Sequence, residues 1–187
     1  MKMMINKKYF TMKDALDRGL TRYQLNKEIK AGKIVKIGHG LYQHSDNNYS
    51  EGYDLTKFAK AWLKSKEKGC ICLWSALEYF DLTEEFIEDV WIYLPYEMNI
   101  RIQDVKVIRK RNGVSNIGTI KHEDFVITNI ERTLIDILND RKHIELKDAL
   151  NICRKALREK KTTLEKIVLM AKEMNCYKRV KECMSLL

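Results

Sequence analysis

Tyr9-Phe10-Thr11-Met12-Lys13-Asp14-Ala15-Leu16-Asp17-Arg18-Gly19-Leu20, then Thr21-Arg22-Tyr23-Gln24-Leu25-Asn26-Lys27-Glu28-Ile29-Lys30-Ala31-Gly32, then Lys33-Ile34-Val35-Lys36-Ile37-Gly38-His39-Gly40-Leu41-Tyr42 is the stretch that decides the fold. Its order is helix, glycine stop, helix, glycine stop, hairpin. Thr11 is an N-cap candidate with Asp14 three residues on, at the position that completes a capping box. Ala15 and Leu16 supply a small apolar face, and Gly19 can end the helix in the left-handed conformation. Thr21 is the next cap candidate. Leu25 and Ile29 are four apart and share one face, which points inward. Ile34, Val35 and Ile37 suit a short strand, Gly38-His39-Gly40 a tight turn, and Leu41-Tyr42 a return strand. The pattern predicts a winged helix-turn-helix.

At about 100° per residue, Tyr23, Gln24, Lys27 and Lys30 fall mainly on the face opposite Leu25 and Ile29. If the second helix enters a major groove, Gln pairs with adenine edges and Lys reaches guanine or phosphate. Tyr donates to phosphate or packs on sugar or a thymine methyl. Arg22 lies nearer the core flank and suits a phosphate, with Thr21 beside it at the helix start. Lys33, Lys36 and His39 are placed to meet flanking backbone or a minor groove. The nine residues Thr21, Arg22, Tyr23, Gln24, Lys27, Lys30, Lys33, Lys36 and His39 are the candidate DNA-binding set. An ordinary solvated helix face and a turn-filling His39 are the plain alternatives.

Charge favours DNA. The 187-residue chain has net charge +9. Residues 1–50 hold ten Lys and Arg against four Asp and Glu, a net +6, so the other 137 residues contribute only +3. A positive field gathered at one end steers that end toward phosphate.

His44 to Gly52 is polar and turn-rich and reads as a linker. It divides the chain into a winged helix-turn-helix over residues 1–48 and an α/β domain over 49–187. In the second part, Asp54 to Lys68 has helical spacing, Cys70 to Leu73 is a short apolar run, and Ser75 is placed to cap a helix through Ala76, Leu77, Tyr79 and Phe80. Val90 to Leu94 reads as a strand stopped by Pro95. Val105 to Arg109 alternates, as a half-wet strand does. Ile117–Ile120 and Phe125–Ile127 add two short strands. Thr128 or Asn129 caps a helix through Glu131–Leu138, and two or three further helices fill residues 145 to 187. The expected class is mixed α+β and α/β: a winged helix followed by a small mixed sheet and C-terminal helices.

Other chemistry is thin. Cys70, Cys72, Cys153, Cys176 and Cys183 are an odd number without zinc-ligand spacing, and the four histidines are scattered. Reduced core cysteines follow, with no metal and no cofactor expected. No run approaches the roughly 18 apolar residues of a membrane span, and the start lacks a secretory apolar core, so the expectation is a cytoplasmic protein without a membrane partner. Asp89, then Asp104-Val105-Lys106, loosely fits the carboxylate and carboxylate-x-lysine pattern of a metal-dependent nuclease. No phosphate loop or nucleophile–base motif is visible, so no catalytic residue is assigned.

The winged-helix segment, the Gly-His-Gly-Leu-Tyr wing, Trp74-Ser75-Ala76-Leu77 with Leu82-Thr83, and Glu131-Arg132-Thr133-Leu134-Ile135-Asp136 occur in this order. Together they resemble the AbiEi antitoxins of type IV toxin–antitoxin and abortive-infection systems, over nearly the whole chain. That family usually carries Arg before the wing glycine, where this chain has His39. The resemblance implies a phage-defence antitoxin whose winged helix binds repeats in its own promoter, on double-stranded DNA, and represses transcription. It further implies a C-terminal domain needed for antitoxicity against a nucleotidyltransferase-like toxin, contacted directly or indirectly. In that setting Arg132 buttresses the C-terminal domain by pairing with a carboxylate. A stand-alone repressor with no toxin would share the same DNA-binding end.

Overall fold

The computed structural model describes residues 7–45 and 55–187. The expected boundary between residues 48 and 49, most of the linker, and the Asp54 helix start lie outside the described residues. The N-terminal unit runs β1 (Tyr9–Thr11), α1 (Met12–Asp17), α2 (Arg22–Lys30), β2 (Ile34–Gly38) and β3 (Leu41–His44). Its sheet is antiparallel in the order β1-β3-β2. Strand β1 was not expected from the sequence. Three residues are too few to show a period, and Phe10 becomes a strand residue only because Tyr42 of β3 lies opposite it.

Both helix starts follow the threonine reading. Thr11 and Asp14 form a reciprocal capping box, and so do Thr21 and Gln24. Gly19 and Gly32 take φ of +81° and +72°, which lets each helix end without strain. Ala15 is buried, but Leu16 is 43% exposed, so the first helix buries less apolar surface than expected. The six-residue α1 is instead held by Phe10, Ala15, Leu25, Ile34 and Tyr42, which form the small core under the N-terminal sheet.

Asp14 ties the first turn to acidity. Burial pulls its carboxyl up, but hydrogen bonds from the Thr11 side chain and N–H, with Lys7 and Arg18 nearby, outweigh this and leave it below the usual 3.8. A group held below its unfolded value contributes stability above that value and loses it as pH falls through the folded value. Asp14→Ala is therefore expected to cost on the order of 1 kcal/mol at neutral pH. The gap from wild type in chemical denaturation should close as pH falls below about 3.8. A gap that stays constant down to the acid end would show that the box contributes nothing through charge.

The larger part contains α3 (Thr56–Lys64), β4 (Cys70–Ile71), α4 (Leu73–Tyr79), β5 (Val90–Pro95), β6 (Val105–Lys110), β7 (Thr119–Lys121), β8 (Val126–Thr128), α5 (Ile130–Asn139), α6 (Leu146–Arg158), α7 (Leu164–Glu173) and α8 (Tyr177–Met184). Its five strands are ordered β6-β5-β4-β8-β7. The β5–β6 and β4–β8 pairs are parallel, and the β4–β5 and β7–β8 pairs antiparallel. The expected mixed sheet is present. On β5, Val90, Ile92 and Leu94 enter one core while Tyr93 enters the other, so both faces of the strand are covered. Helices α5 to α8 pack on one side, and α4 reaches both cores, with Leu73 and Leu77 in one and Ala76 in the other. Helix α3, with Phe58, Ala59 and Trp62, packs on the other side.

Ser75 corrects one expectation. It does not cap α4, which begins at Leu73 with Cys72 at the cap position. Ser75 is buried inside the helix, and its Oγ accepts from the Trp91 N–H at 2.9 Å, joining α4 to β5. Asn129, one of the two expected caps, accepts from the Arg132 N–H. Four cysteines are buried, Cys176 is half-buried, and all five are free. Burial pushes the Cys70 and Cys153 thiols up to about 12, which suits core packing rather than reactivity.

The N-terminal unit is not a loose attachment. Tyr9 and Leu41 share a core cluster with Phe58, Ala59 and Trp62, with Ile37 packed against it. The Tyr9 hydroxyl lies 3.1 Å from Thr56 Oγ1, and Lys7 Nζ lies 2.8 Å from Glu67 Oε1. One face of the small sheet covers its own helices and the other covers α3.

Candidate nucleic-acid interface

Helix α2 is presented outward because only one of its residues is fully buried, Leu25. Thr21, Arg22, Tyr23, Gln24, Lys27 and Lys30 are all exposed. Tyr23 is 77% exposed, far beyond the ordinary for an aromatic side chain not engaged by its own fold. Lys27 and Lys30 occupy the last turn, where they also complement the helix dipole. Tyr23, Lys27 and Lys30 thus form one projecting aromatic and basic surface.

Gln24 has a second task that the sequence reading missed. Its Oε1 accepts from the Thr21 N–H at 2.8 Å and from the Thr21 hydroxyl at 3.1 Å, while Thr21 Oγ1 accepts from the Gln24 N–H at 3.2 Å. The Thr-x-x-Gln spacing alone was enough to suggest it. The amide oxygen is thereby engaged, so a base contact through Gln24 has only the Nε2 donors free. Thr21 likewise has its hydroxyl committed to the cap.

Asn26 is exposed as well. It lies three residues after Tyr23 and four before Lys30, on the flank of the same surface. Helical periodicity places it there, and its amide has the donor and acceptor pair that matches adenine. It joins the candidate set as an addition.

The wing is β2, the His39-Gly40 turn and β3. Gly40 takes φ of +66°, the left-handed value that closes the turn, and its carbonyl accepts from the Met12 N–H at 2.9 Å. That bond fixes the wing tip to the start of α1. Lys36 and His39 are exposed. Val35 is 50% exposed beside Lys36, and the register shifts just after, between Lys36 and Gly38. Lys33 is exposed but has Glu28 at 3.7 Å, which lowers its net field toward an outside phosphate. The nine expected residues therefore stand on one exposed unit, with Lys33 partly neutralised and Thr21 and Gln24 partly structural.

The second conspicuous polar cluster is internal. Arg132, 4% exposed, donates through Nη1 to the carbonyls of Ser115 (2.7 Å) and Ile117 (2.6 Å), and its Nε lies 3.4 Å from Asp136 Oδ2. Arg132 therefore pairs with a carboxylate, and it also clamps the loop leading into β7. Burial pulls the Asp136 carboxyl above the usual carboxylate range, against the opposing influence of Lys110, Arg132 and the Tyr93 hydroxyl. Glu131 accepts from the buried Thr162 hydroxyl at 2.6 Å, and Thr133 from α5 meets Thr128 at 2.7 Å. The Glu-Arg-Thr-Leu-Ile-Asp run is thus a packing device around the central helix.

Asp89 and Asp104 are exposed neighbours, because Val90 and Val105 pair in register on parallel strands. Lys106 is turned over the Trp91 ring, 5.9 Å from its centroid. Among the described residues, no group of three His, Cys, Asp or Glu side chains converges as a metal site would require. No helix among them is long and apolar enough to cross a membrane.

Residues 4–43 match the model of a family described as "Transcriptional regulator, AbiEi antitoxin". The match covers β1, both helices and the wing, and it bears out over that segment the resemblance read from the sequence. Over those residues the chain is similar to a family of DNA-binding antitoxin regulators. No curated protein matches the chain.

Proposed function

We propose that this protein is an antitoxin that represses its own promoter, binding double-stranded DNA repeats through α2 and the wing. The observation that carries the proposal is the exposed surface of Tyr23, Lys27 and Lys30 on a helix capped by the Thr21–Gln24 box, beside the Lys36–His39 wing. Lys27 and Asn26 are the base-reading candidates. Arg22, Lys30, Lys33, Lys36 and His39 are the backbone-contacting ones. The part after residue 54 supports antitoxicity toward a nucleotidyltransferase-like toxin, by contact or indirectly. The setting is the cytoplasm, and the biological outcome is abortive infection as phage defence.

A gel-shift titration against the DNA upstream of its own gene, at two salt concentrations with competitor DNA, tests the first half. Selective binding that weakens with salt is expected. Binding no tighter than to competitor would reject the repressor reading. Co-expression with a nucleotidyltransferase encoded beside it tests the second half. Restored growth is expected, and persistent toxicity would leave a repressor without antitoxin activity.

A further inference from the structure

The most exposed large apolar side chain among those described is Phe86, at 91%. It sits in the loop Glu84-Glu85-Phe86-Ile87-Glu88-Asp89, which carries four carboxylates in six residues. Glu84, Glu85, Glu88 and Asp89 are all exposed, and none of them stands in an ion pair among the described residues. Beside this loop is a cleft of about 520 Å³ between the α4 side and α6. Trp74, Leu82 and Ile152 give it an apolar floor, and Lys155, Arg158 and Arg154, the last also donating to the Leu186 carbonyl at 2.7 Å, outnumber Asp148 along the α6 wall. Lys155 and Arg158 have no carboxylate within ion-pair distance among the described residues. Glu84 and Glu85 border the same cleft, so the acidic aromatic knob and the basic apolar hole are adjacent on one surface.

A single patch holding both a knob and its complement is the arrangement a two-fold contact requires, since each copy offers the same surface to the other. We propose that this surface joins two copies of the chain in solution. Phe86 of each copy inserts into the cleft floored by Trp74 and Ile152 of the other. Glu84, Glu85 and Glu88 then face the partner's Arg154, Lys155 and Arg158. The aromatic anchor supplies the desolvated centre and the charges form the rim. A lone exposed phenylalanine is ordinary on a surface; what favours a contact is that Phe86 and its carboxylates adjoin a cleft with an apolar floor and cationic side chains. The proposal is independent of the DNA reading, because the cleft is built only from α4, α6 and the loop after α4.

Sedimentation velocity of the full chain across a hundredfold concentration range tests it. A monomer–dimer transition is expected for wild type. Phe86→Ser should stay monomeric with unchanged circular dichroism, since the side chain touches little of its own fold. Lys155→Glu/Arg158→Glu and Glu84→Lys/Glu85→Lys should each be monomeric alone, because like charges then meet twice. Mixed one to one they should form a heterodimer, because both opposed pairs are restored. A wild type that stays monomeric throughout would overturn the proposal. So would a Phe86→Ser protein that dimerises as wild type does, or a mixture that shows no heterodimer.

Discussion

An Arg132→Leu variant is expected to lose about 3–5 kcal/mol of stability, because removing one partner of a buried ion pair leaves the other uncompensated. The loss has two sources in this chain. Asp136 keeps its buried carboxyl without the guanidinium 3.4 Å away, and the carbonyls of Ser115 and Ile117 lose their Nη1 donor. Urea unfolding followed by tryptophan fluorescence measures the cost. Arg132→Leu/Asp136→Leu should recover part of it, since the orphaned carboxyl is then gone as well. A single-variant loss below about 1 kcal/mol would mean the pair is replaceable by packing alone. Neighbouring Gly118 sharpens the point. A Cβ there would lie 2.8 Å from the Arg132 Cβ, at φ +64°, so the backbone at Gly118 is fitted to the aliphatic stem of Arg132.

A Tyr23→Ala/Lys27→Ala/Lys30→Ala variant is expected to abolish selective DNA binding while staying folded, with no more than about 2 kcal/mol lost from the two lysines at the α2 C-terminus. All three side chains are exposed, so the fold does not depend on them. Loss of a base-reading Lys27 should cost about 1–3 kcal/mol, or roughly 5- to 150-fold in affinity. Each lysine that meets a phosphate should remove about 0.9 from the salt slope. Gln24 needs a different substitution, because Gln24→Ala also removes the α2 cap. Gln24→Glu keeps an acceptor for Thr21 but turns a negative charge toward phosphate, so it should weaken binding with stability unchanged. Wild-type affinity in the triple variant would move the interface away from α2 altogether.

Local chemistry determines the winged helix without any distant partner. Thr11 and Thr21 start helices, Gly19 and Gly32 end them, and Gly40 closes the wing, because capping and positive φ are properties of one to four adjacent residues. The outward face of α2 was legible for the same reason, since helical period alone separates Tyr23, Lys27 and Lys30 from Leu25. Strands β5 and β6 are likewise readable from local hydrophobic pattern, in Val90–Leu94 and Val105–Arg109. Only the tertiary structure decided what required a distant partner. Strand β1 exists because β3 lies beside it, and Ser75 is a bridge to Trp91 rather than a cap because β5 passes over α4. The docking of Tyr9 and Leu41 onto Phe58, Ala59 and Trp62, the Arg132 clamp on the loop before β7, and the closeness of the Phe86 loop to α6 are likewise invisible in the chain order. Sequence separation carries no information about which surfaces meet. That is fixed by the burial of two apolar faces of one sheet, which folds residues far apart in the chain against each other.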